Sequence, residues 1–214
     1  MSTLVWDATG ERKYESGVNH GVLYPIVNGA YSTGVVWNGL TSVTESPEGA
    51  EANDLWADNI KYASLRSAET FGATVEAYTY PDEFYACDGF AELATGIVIG
   101  QQDRQRFGLC YRTEIGDDTN NSAGYKLHLI YGCSATPSER SYETINDSPD
   151  AITFSWEIDT VPVNVTGKKA TACLVIDSTK VDSAKMTLLT NELYGTENSE
   201  PTLPLPDRVL EIIQ

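Results

Sequence analysis

Apolar and polar residues alternate with a period of two along several segments of this chain. The clearest segment has an apolar residue at every second position, namely Ile152, Phe154, Trp156 and Ile158. In an extended strand this period places successive side chains on opposite faces, one toward a core and one toward solvent. The same pattern predicts strands at 71–77, 107–115 and 125–131, and plausible further strands lie at 34–43 and 60–67.

Turn-forming residues between two of these strands predict a hairpin. The segment Gly116–Gly124 is rich in Gly, Asp and Asn, which favour turns. We therefore predict a long hairpin between 105–115 and 125–134. The segment Cys173–Ile176 is apolar throughout, which predicts a central strand buried on both faces. These patterns predict a mainly β (α+β) protein, an antiparallel β-sandwich or barrel.

One amphipathic helix, residues 179–194, is predicted to flank this sheet. Thr179 and Asp182 have the spacing of a capping box, and Gly195 follows as a C-terminal stop. Its apolar stripe, at helical spacing, consists of Val181, Ala184, Leu188, Leu189 and Leu193. We expect the stripe to pack on the sheet, so that the buried core includes Leu127, Leu129, Phe154, Trp156, Leu188 and Leu189.

The two ends of the chain are predicted to be extended arms, 1–16 and 195–214, of a single domain spanning 1–214. A short helix can begin at Pro206 in the second arm. Its apolar face, at the end of the chain, has little of its own domain left to cover it. We therefore predict a contact with another molecule through Val209, Leu210, Ile212 and Ile213.

A long acidic loop is predicted at 45–58. It holds five acidic residues and no basic one, which are Glu45, Glu48, Glu51, Asp54 and Asp58. It also carries Leu55 and Trp56, and an exposed Trp is typical of a contact surface. We interpret the loop as a self-assembly arm; the alternative is a loop folded back with Trp56 in its own core.

Charge limits the partners of this chain. It has 31 acidic and 14 basic residues, a formal net charge of −17 and a pI near 4.3. Attraction between basic side chains and phosphates dominates binding to nucleic acid and to anionic membranes. A protein with a net negative charge repels these phosphates, so direct binding to either partner is not expected. The N-terminus lacks the basic and apolar regions of a signal peptide, and no apolar stretch is long enough to span a bilayer, so we expect folding in the cytoplasm.

The residue types that carry catalysis or hold metals are sparse. The four cysteines are scattered without a CxxC pair, so we expect reduced, buried thiols and no metal site. Only His20 and His128 could serve as imidazole bases; His128 is expected to be solvated on a polar strand face. No G-x-S-x-G, P-loop or G-x-G-x-x-G motif occurs. We predict that the protein is not an enzyme and needs no cofactor.

The chain also resembles a known family, the major tail proteins (tail tube proteins) of long-tailed, siphophage-type bacteriophages. The resemblance runs from about Lys13 to Ile213 and depends on the order and spacing of seven phrases. These are Gly17–Pro25, Gly34–Pro47, Phe71–Phe84, Phe107–Thr113, Gly124–Gly132, Ile145–Pro149 and Ile176–Val181.

The resemblance implies a structural virion protein. Subunits of this family are β-sandwiches or barrels with a flanking helix, and their hexameric rings stack into the hollow tube that conducts genome DNA during ejection. The implied partners are further copies of the chain and the tape measure, distal tail and tail terminator proteins. DNA would pass through the lumen without specific binding. The implied location is the virion tail, and the host cytoplasm during assembly.

Two other classes remain open from the residues alone. One is a β-sandwich carbohydrate-binding module that uses Trp37, Trp56 or Tyr80, with calcium in the acidic turns. The other is a glycoside hydrolase with two catalytic carboxylates, one of which would have a raised pKa.

Overall fold

A computed structural model describes residues 3–49, 51–145, 147 and 150–214. Within these residues the chain forms thirteen strands and three helices. The strands are β1 (Tyr14–Val27), β2 (Ala30–Tyr31), β3 (Val35–Trp37), β4 (Leu40–Gly49), β5 (Ala52–Ala57), β6 (Ile60–Arg66), β7 (Glu69–Ala77), β8 (Ala91–Ala94), β9 (Ile97–Ile99), β10 (Phe107–Gly116), β11 (Gly124–Ala135), β12 (Phe154–Thr160) and β13 (Cys173–Asp177). The helices are α1 (Phe84–Cys87), α2 (Ser183–Tyr194) and α3 (Pro206–Ile213).

Nine of these strands form one large antiparallel sheet. Its order is β2-β1-β10-β11-β12-β7-β4, with β3 added to β1 and β13 added to β11. The predicted hairpin is confirmed: β10 and β11 pair from Phe107 opposite Cys133 to Ile115 opposite Gly124. The fold is therefore mainly β and β-sandwich-like, as the alternating pattern predicted.

The strands β1, β10 and β11 are buried on both faces because each face has a core of its own. On β10, Leu109 and Tyr111 pack toward β7 and β12, whereas Cys110 between them packs toward the helices. On β11, Ile130 packs toward β7 and β12, and its neighbour Leu129 packs toward the helices. One core therefore lies between the two halves of the sheet, and a second lies between the sheet and α2 and α3.

The other half of the sheet, β12-β7-β4, is buried on one face only. Val75 and Trp156 lie opposite each other on β7 and β12 and point into the first core. Trp156 also donates its indole N–H to Asp88, at 3.1 Å. Asp88 is buried and accepts further hydrogen bonds from Arg104 and Arg140, so its carboxylate is fully paired. This network ties α1 and the segment that carries Arg140 to the core.

The predicted helix exists and buries Leu189 and Leu193 as predicted, but its start and the place of Leu188 in the buried stripe were wrong. The helix begins at Ser183, and Asp182 is the N-cap because its carboxylate accepts the N–H groups of Ala184 and Lys185. The buried positions are Met186, Leu189 and Leu193, whereas Leu188 is 59% exposed. Among the described residues, no helix has the length and apolarity needed to cross a membrane.

Three further expectations need correction. The strand at Cys173–Asp177 is not central, since β13 pairs only with β11 among the described residues, and Val175 is exposed. The segment predicted as one strand at 34–43 is divided by Gly39, at φ +75°, into β3 and the start of β4. Of the predicted core, Leu127, Leu129, Trp156 and Leu189 are buried, but Phe154 is only half-buried.

The C-terminal segment is not an extended arm. Leu203 is buried, and Val209, Ile212 and Ile213 of α3 pack into the second core beside α2. The expectation that its own domain leaves this helix face exposed was therefore wrong for these three residues of α3. Of the four predicted contact residues, Leu210 alone is exposed.

The cysteine thiols are free, as the scattered spacing predicted. Cys87, Cys110 and Cys133 are buried, and Cys173 is half-buried. Burial raises the pKa of Cys87 and of Cys110 to about 12, so both are protonated thiols at neutral pH.

Candidate self-assembly surfaces

The acidic segment predicted as a loop is one side of a long two-stranded hairpin. β4 pairs with β7 as far as Gly49 opposite Glu69, and beyond this pair β5 runs antiparallel to β6. We call residues 46–49 and 51–70 the hairpin arm. Among its described side chains only Ala63 is half-buried, and the rest are exposed. The prediction of a loop at 45–58 was wrong, because the described residues 45–49 pair with β7 and residues 52–57 pair with β6.

The turn at the tip of the hairpin arm explains why the chain reverses there. Asp58 and Asn59 have φ values of +50° and +62°. Two successive residues with positive φ are typical of the two-residue turn that suits the twist of a hairpin, and Asp and Asn tolerate this conformation. The sequence signal for this turn is therefore the pair Asp58-Asn59 between Ala57 and Ile60.

The register of β5 and β6 gives the hairpin two different faces. Opposite residues in an antiparallel pair share a face, so Leu55 and Ala63 lie on the same side, as do Ala57 and Ile60. Leu65, opposite Asn53, also lies on this side. Leu55, Ile60 and Leu65 are 41%, 62% and 57% exposed. This apolar face of the arm carries no charge and has no cover from the described residues of its own subunit.

The opposite face of the arm is polar apart from Trp56 and from Tyr62, which is 72% exposed at the bulge between Ala63 and Lys61. Asp54 accepts a hydrogen bond from Ser64 and forms an ion pair with Lys61, at 2.7 Å. The lysine ammonium holds the pKa of Asp54 below its usual value. Trp56 shares this face and is 69% exposed. Trp56 is therefore not in its own core, but it points away from Leu55, so the two cannot anchor one contact together.

The remaining predicted arm residues lie at different distances from the tip of the hairpin arm. Glu48 and Glu51 are exposed along the arm, and Asp58 is in its turn. Glu45, in contrast, lies at the base, where β4 joins the sheet opposite Ala73 of β7. The structure thus separates Glu45 from the other acidic residues of the segment.

Glu45 joins a polar cluster beneath the arm. Its Oε1 accepts a hydrogen bond from the Tyr111 hydroxyl at 2.5 Å and lies 3.1 Å from Nδ1 of His128. The Tyr111 and His128 rings are stacked, with centroids 4.6 Å apart. Nε2 of His128 lies 3.1 Å from the hydroxyl of Thr113. His128 is therefore not solvated as expected; its side chain is only 11% exposed.

The cluster makes the stability of the arm base dependent on pH. The hydrogen bond from His128 holds the pKa of Glu45 below its usual value of 4.5. A carboxylate with a lowered folded-state pKa stabilises the fold above its unfolded pKa, and this contribution is lost as pH falls through the folded value. We expect Glu45→Gln to lower the midpoint of thermal unfolding at pH 7, with the difference from wild type vanishing in acid.

The matched control for that measurement is Glu48→Gln, which removes an exposed carboxylate from the same strand. An equal loss in both variants, or a difference for Glu45→Gln that does not shrink in acid, would contradict the assignment.

The solvent face of the β12-β7-β4 half is acidic. Because Val75 and Trp156 point inward, their neighbours Glu76 and Glu157 point outward, as does Asp159 two residues further along β12. Glu48 of β4 lies opposite Thr70 on the same outward side. None of these three strands contains a lysine or an arginine. We call this surface the acidic sheet face.

The N-terminal segment exposes a second apolar group. Leu4, Val5 and Trp6 are all largely exposed. The segment is tied to the β10–β11 turn nearby, because the N–H of Gly10 donates to Asp118 at 2.8 Å. The last residues of the predicted arm 1–16 belong to β1, which begins at Tyr14.

The residues offered for glycan or calcium binding are mostly engaged elsewhere. Trp37 is buried and Tyr80 packs in the aromatic cluster with Phe84 and Trp156, so Trp56 is the one exposed aromatic residue of the three proposed. Asp117 accepts the N–H groups of Thr119 and Asn120, and the described residues hold no group of side chains suited to a metal ion.

No protein-family model matches this chain, and a search of curated proteins finds no significant match.

Proposed function

We propose that this chain is a tail tube protein: its hexameric rings stack into a hollow tube that conducts genome DNA out of a long-tailed phage particle. In this role it is a structural protein without catalytic activity or cofactor. Its partners would be further copies of itself and the tape measure, distal tail and tail terminator proteins. Its place would be the tail of the virion, after assembly in the host cytoplasm.

The observation that carries the proposal is the uncovered apolar face of the hairpin arm. A two-stranded hairpin is marginally stable alone, and its isolated apolar face is costly in water. Burying a fully exposed side chain of this size contributes about 1.5–3 kcal/mol, and burying the exposed parts of Leu55, Ile60 and Leu65 against a neighbour would contribute a corresponding fraction of this to assembly. A subunit that builds two cores and still leaves this face exposed is suited to contacts with other copies.

The acidic sheet face supports the second part of the proposal. A wall that guides DNA needs to repel its phosphates, since every contact between a phosphate and a cationic side chain would slow the passage of the DNA. A continuous face with carboxylates and no lysine or arginine meets that need. Repulsion over a screening length of about 8–10 Å would keep the DNA away from the wall.

Sedimentation velocity of the purified protein over a wide concentration range tests the proposal. We expect a reversible shift from the 23.4 kDa monomer to rings and larger polymers as concentration rises. Binding to immobilised glycans by a strictly monomeric protein would instead favour the carbohydrate-binding alternative. Release of reducing sugar from a polysaccharide would favour the hydrolase.

A further inference from the structure

Two adjacent lysines are among the six lysines and arginines that form no ion pair with a described residue. Eight of the 14 lysines and arginines form ion pairs, which are Arg12, Lys61, Arg104, Arg112, Lys126, Arg140, Lys180 and Arg208. Lys168 and Lys169 are adjacent and exposed, and neither forms an ion pair with a described residue. We call this pair the lysine tip.

The lysine tip is held at a defined position. It closes a short hairpin in which Val163 and Thr171 exchange two backbone hydrogen bonds, of 2.8 and 2.9 Å. Asp207, in the first turn of α3, accepts the N–H and the hydroxyl of Thr166, at 3.0 and 2.7 Å. Gly167 supplies the positive φ, +73°, that the turn requires. Because the backbone is already ordered, docking through this tip costs little conformational entropy.

A groove on another part of the chain has the complementary character. It encloses about 530 Å³ between α1, the β8–β9 hairpin and residues 102–105. Tyr85, Phe90 and Val98 supply its apolar lining. Arg140 lies 5.0 Å from the centroid of the Phe90 ring, and Gln105 donates its backbone N–H to Ala86, so the lining is fixed in place.

The rim of this groove is acidic. Four exposed carboxylates, those of Asp82, Glu83, Glu92 and Asp103, line it, and none forms an ion pair with a described residue. No lysine or arginine is among the lining residues. A lysine side chain suits such a groove because its methylene stem can lie on the apolar lining while its ammonium group reaches the rim.

We propose that the lysine tip of one copy docks into this acidic-rimmed groove of a second copy. The occupant is another copy because the same chain carries both complementary surfaces, which is the requirement for a heterologous contact that repeats from subunit to subunit. The inference extends the proposed function by naming one pair of surfaces that joins the subunits. It also gives a role to two exposed lysines in a chain whose net charge is −17.

Charge reversal tests the docking. Lys168→Glu/Lys169→Glu should raise the concentration needed for assembly at least about tenfold, because like charges placed together across an interface cost several kcal/mol. The control Lys13→Glu/Lys180→Glu changes the net charge equally at two exposed sites and should assemble as wild type does. Adding Glu83→Lys/Glu92→Lys to the tip variant should restore assembly. Equal loss in the control, or no restoration, would overturn the proposal.

Cross-linking separates this inference from the proposed function. Copies carrying Lys169→Cys, mixed with copies carrying Glu83→Cys and oxidised with diamide, should give a disulfide-linked dimer, whereas Lys13→Cys copies should not. A cross-linked dimer without polymers would sustain the docking and contradict the tube. If polymers form equally well with and without the charge reversals and yield no cross-link, the docking proposal is overturned. The proposed function would not be affected by that result.

Discussion

Replacing residues 51–67 by a short Gly/Ser linker should abolish polymerisation and leave the sandwich folded. The excised part is exposed almost throughout and contributes to neither core. Gly49 and Glu69 are directly paired, so a short linker can close the gap. Circular dichroism would verify the fold, and electron microscopy would report the assembly state. Tubes of normal length from this variant would contradict the role of the arm.

A finer version of the experiment separates the two faces of the hairpin. Leu55→Ser/Ile60→Ser/Leu65→Ser removes the apolar face, whereas Asp54→Ser/Trp56→Ser/Lys61→Ser changes three residues of the opposite face. We expect the first variant to stay monomeric and the second to retain assembly. The reverse result would show that the contact lies on the tryptophan side of the arm.

Trp156→Ala should lower the free energy of unfolding by about 3–5 kcal/mol, the usual cost of truncating a large buried aromatic side chain. Trp156 is fully buried, packs against Trp37 and Phe84, and donates a hydrogen bond to Asp88. The substitution therefore leaves a cavity and also removes one of the donors to a buried carboxylate. Urea unfolding of the soluble subunit measures the effect.

The matched control is Trp56→Ala, the same substitution on the exposed side of the arm. Since Trp56 is 69% exposed, its loss should change the unfolding free energy of the subunit by less than about 0.5 kcal/mol. Equal losses for the two tryptophans would mean that Trp156 is not the centre of the core described here.

The parts of the fold that fill a core were predictable from the alternation of residues. β12 places every second side chain in a packed layer, so the pattern at Trp156 had to match the strand period. Leu127 and Leu129 lie two positions apart on β11 and pack into the second core, although β11 is buried on both faces. The hairpin between β10 and β11 followed because its turn residues were unmistakable.

In the hairpin arm, β6 matches the strand predicted at 60–67, but β5 and its pairing with β6 escaped prediction for the opposite reason. The two faces of the arm are not buried within the subunit, so selection for a core does not impose a clear alternation on Glu51–Asp58. The turn dipeptide Asp58-Asn59 is a weaker signal than Asn-Gly, and the acidic residues suggested a loop.

The helix errors have a different origin. Both Thr179 and Asp182 can cap a helix, and local sequence does not decide between them; in the fold, Thr179 donates its N–H and hydroxyl to Asp177 instead. The exposure of Leu188 depends on how α2 is rotated on the sheet, which tertiary packing sets. The cluster of Glu45, Tyr111 and His128 likewise joins residues from three strands that only the sheet order brings together.

Immunogold electron microscopy of parent phage particles tests the central claim most directly. An antibody raised against the purified chain should label the tail at regular intervals along its length, as expected for a protein present in every ring of the tube. Label confined to the capsid or the tail tip, or its absence from particles with intact tails, would contradict the assignment of this chain to the tail tube.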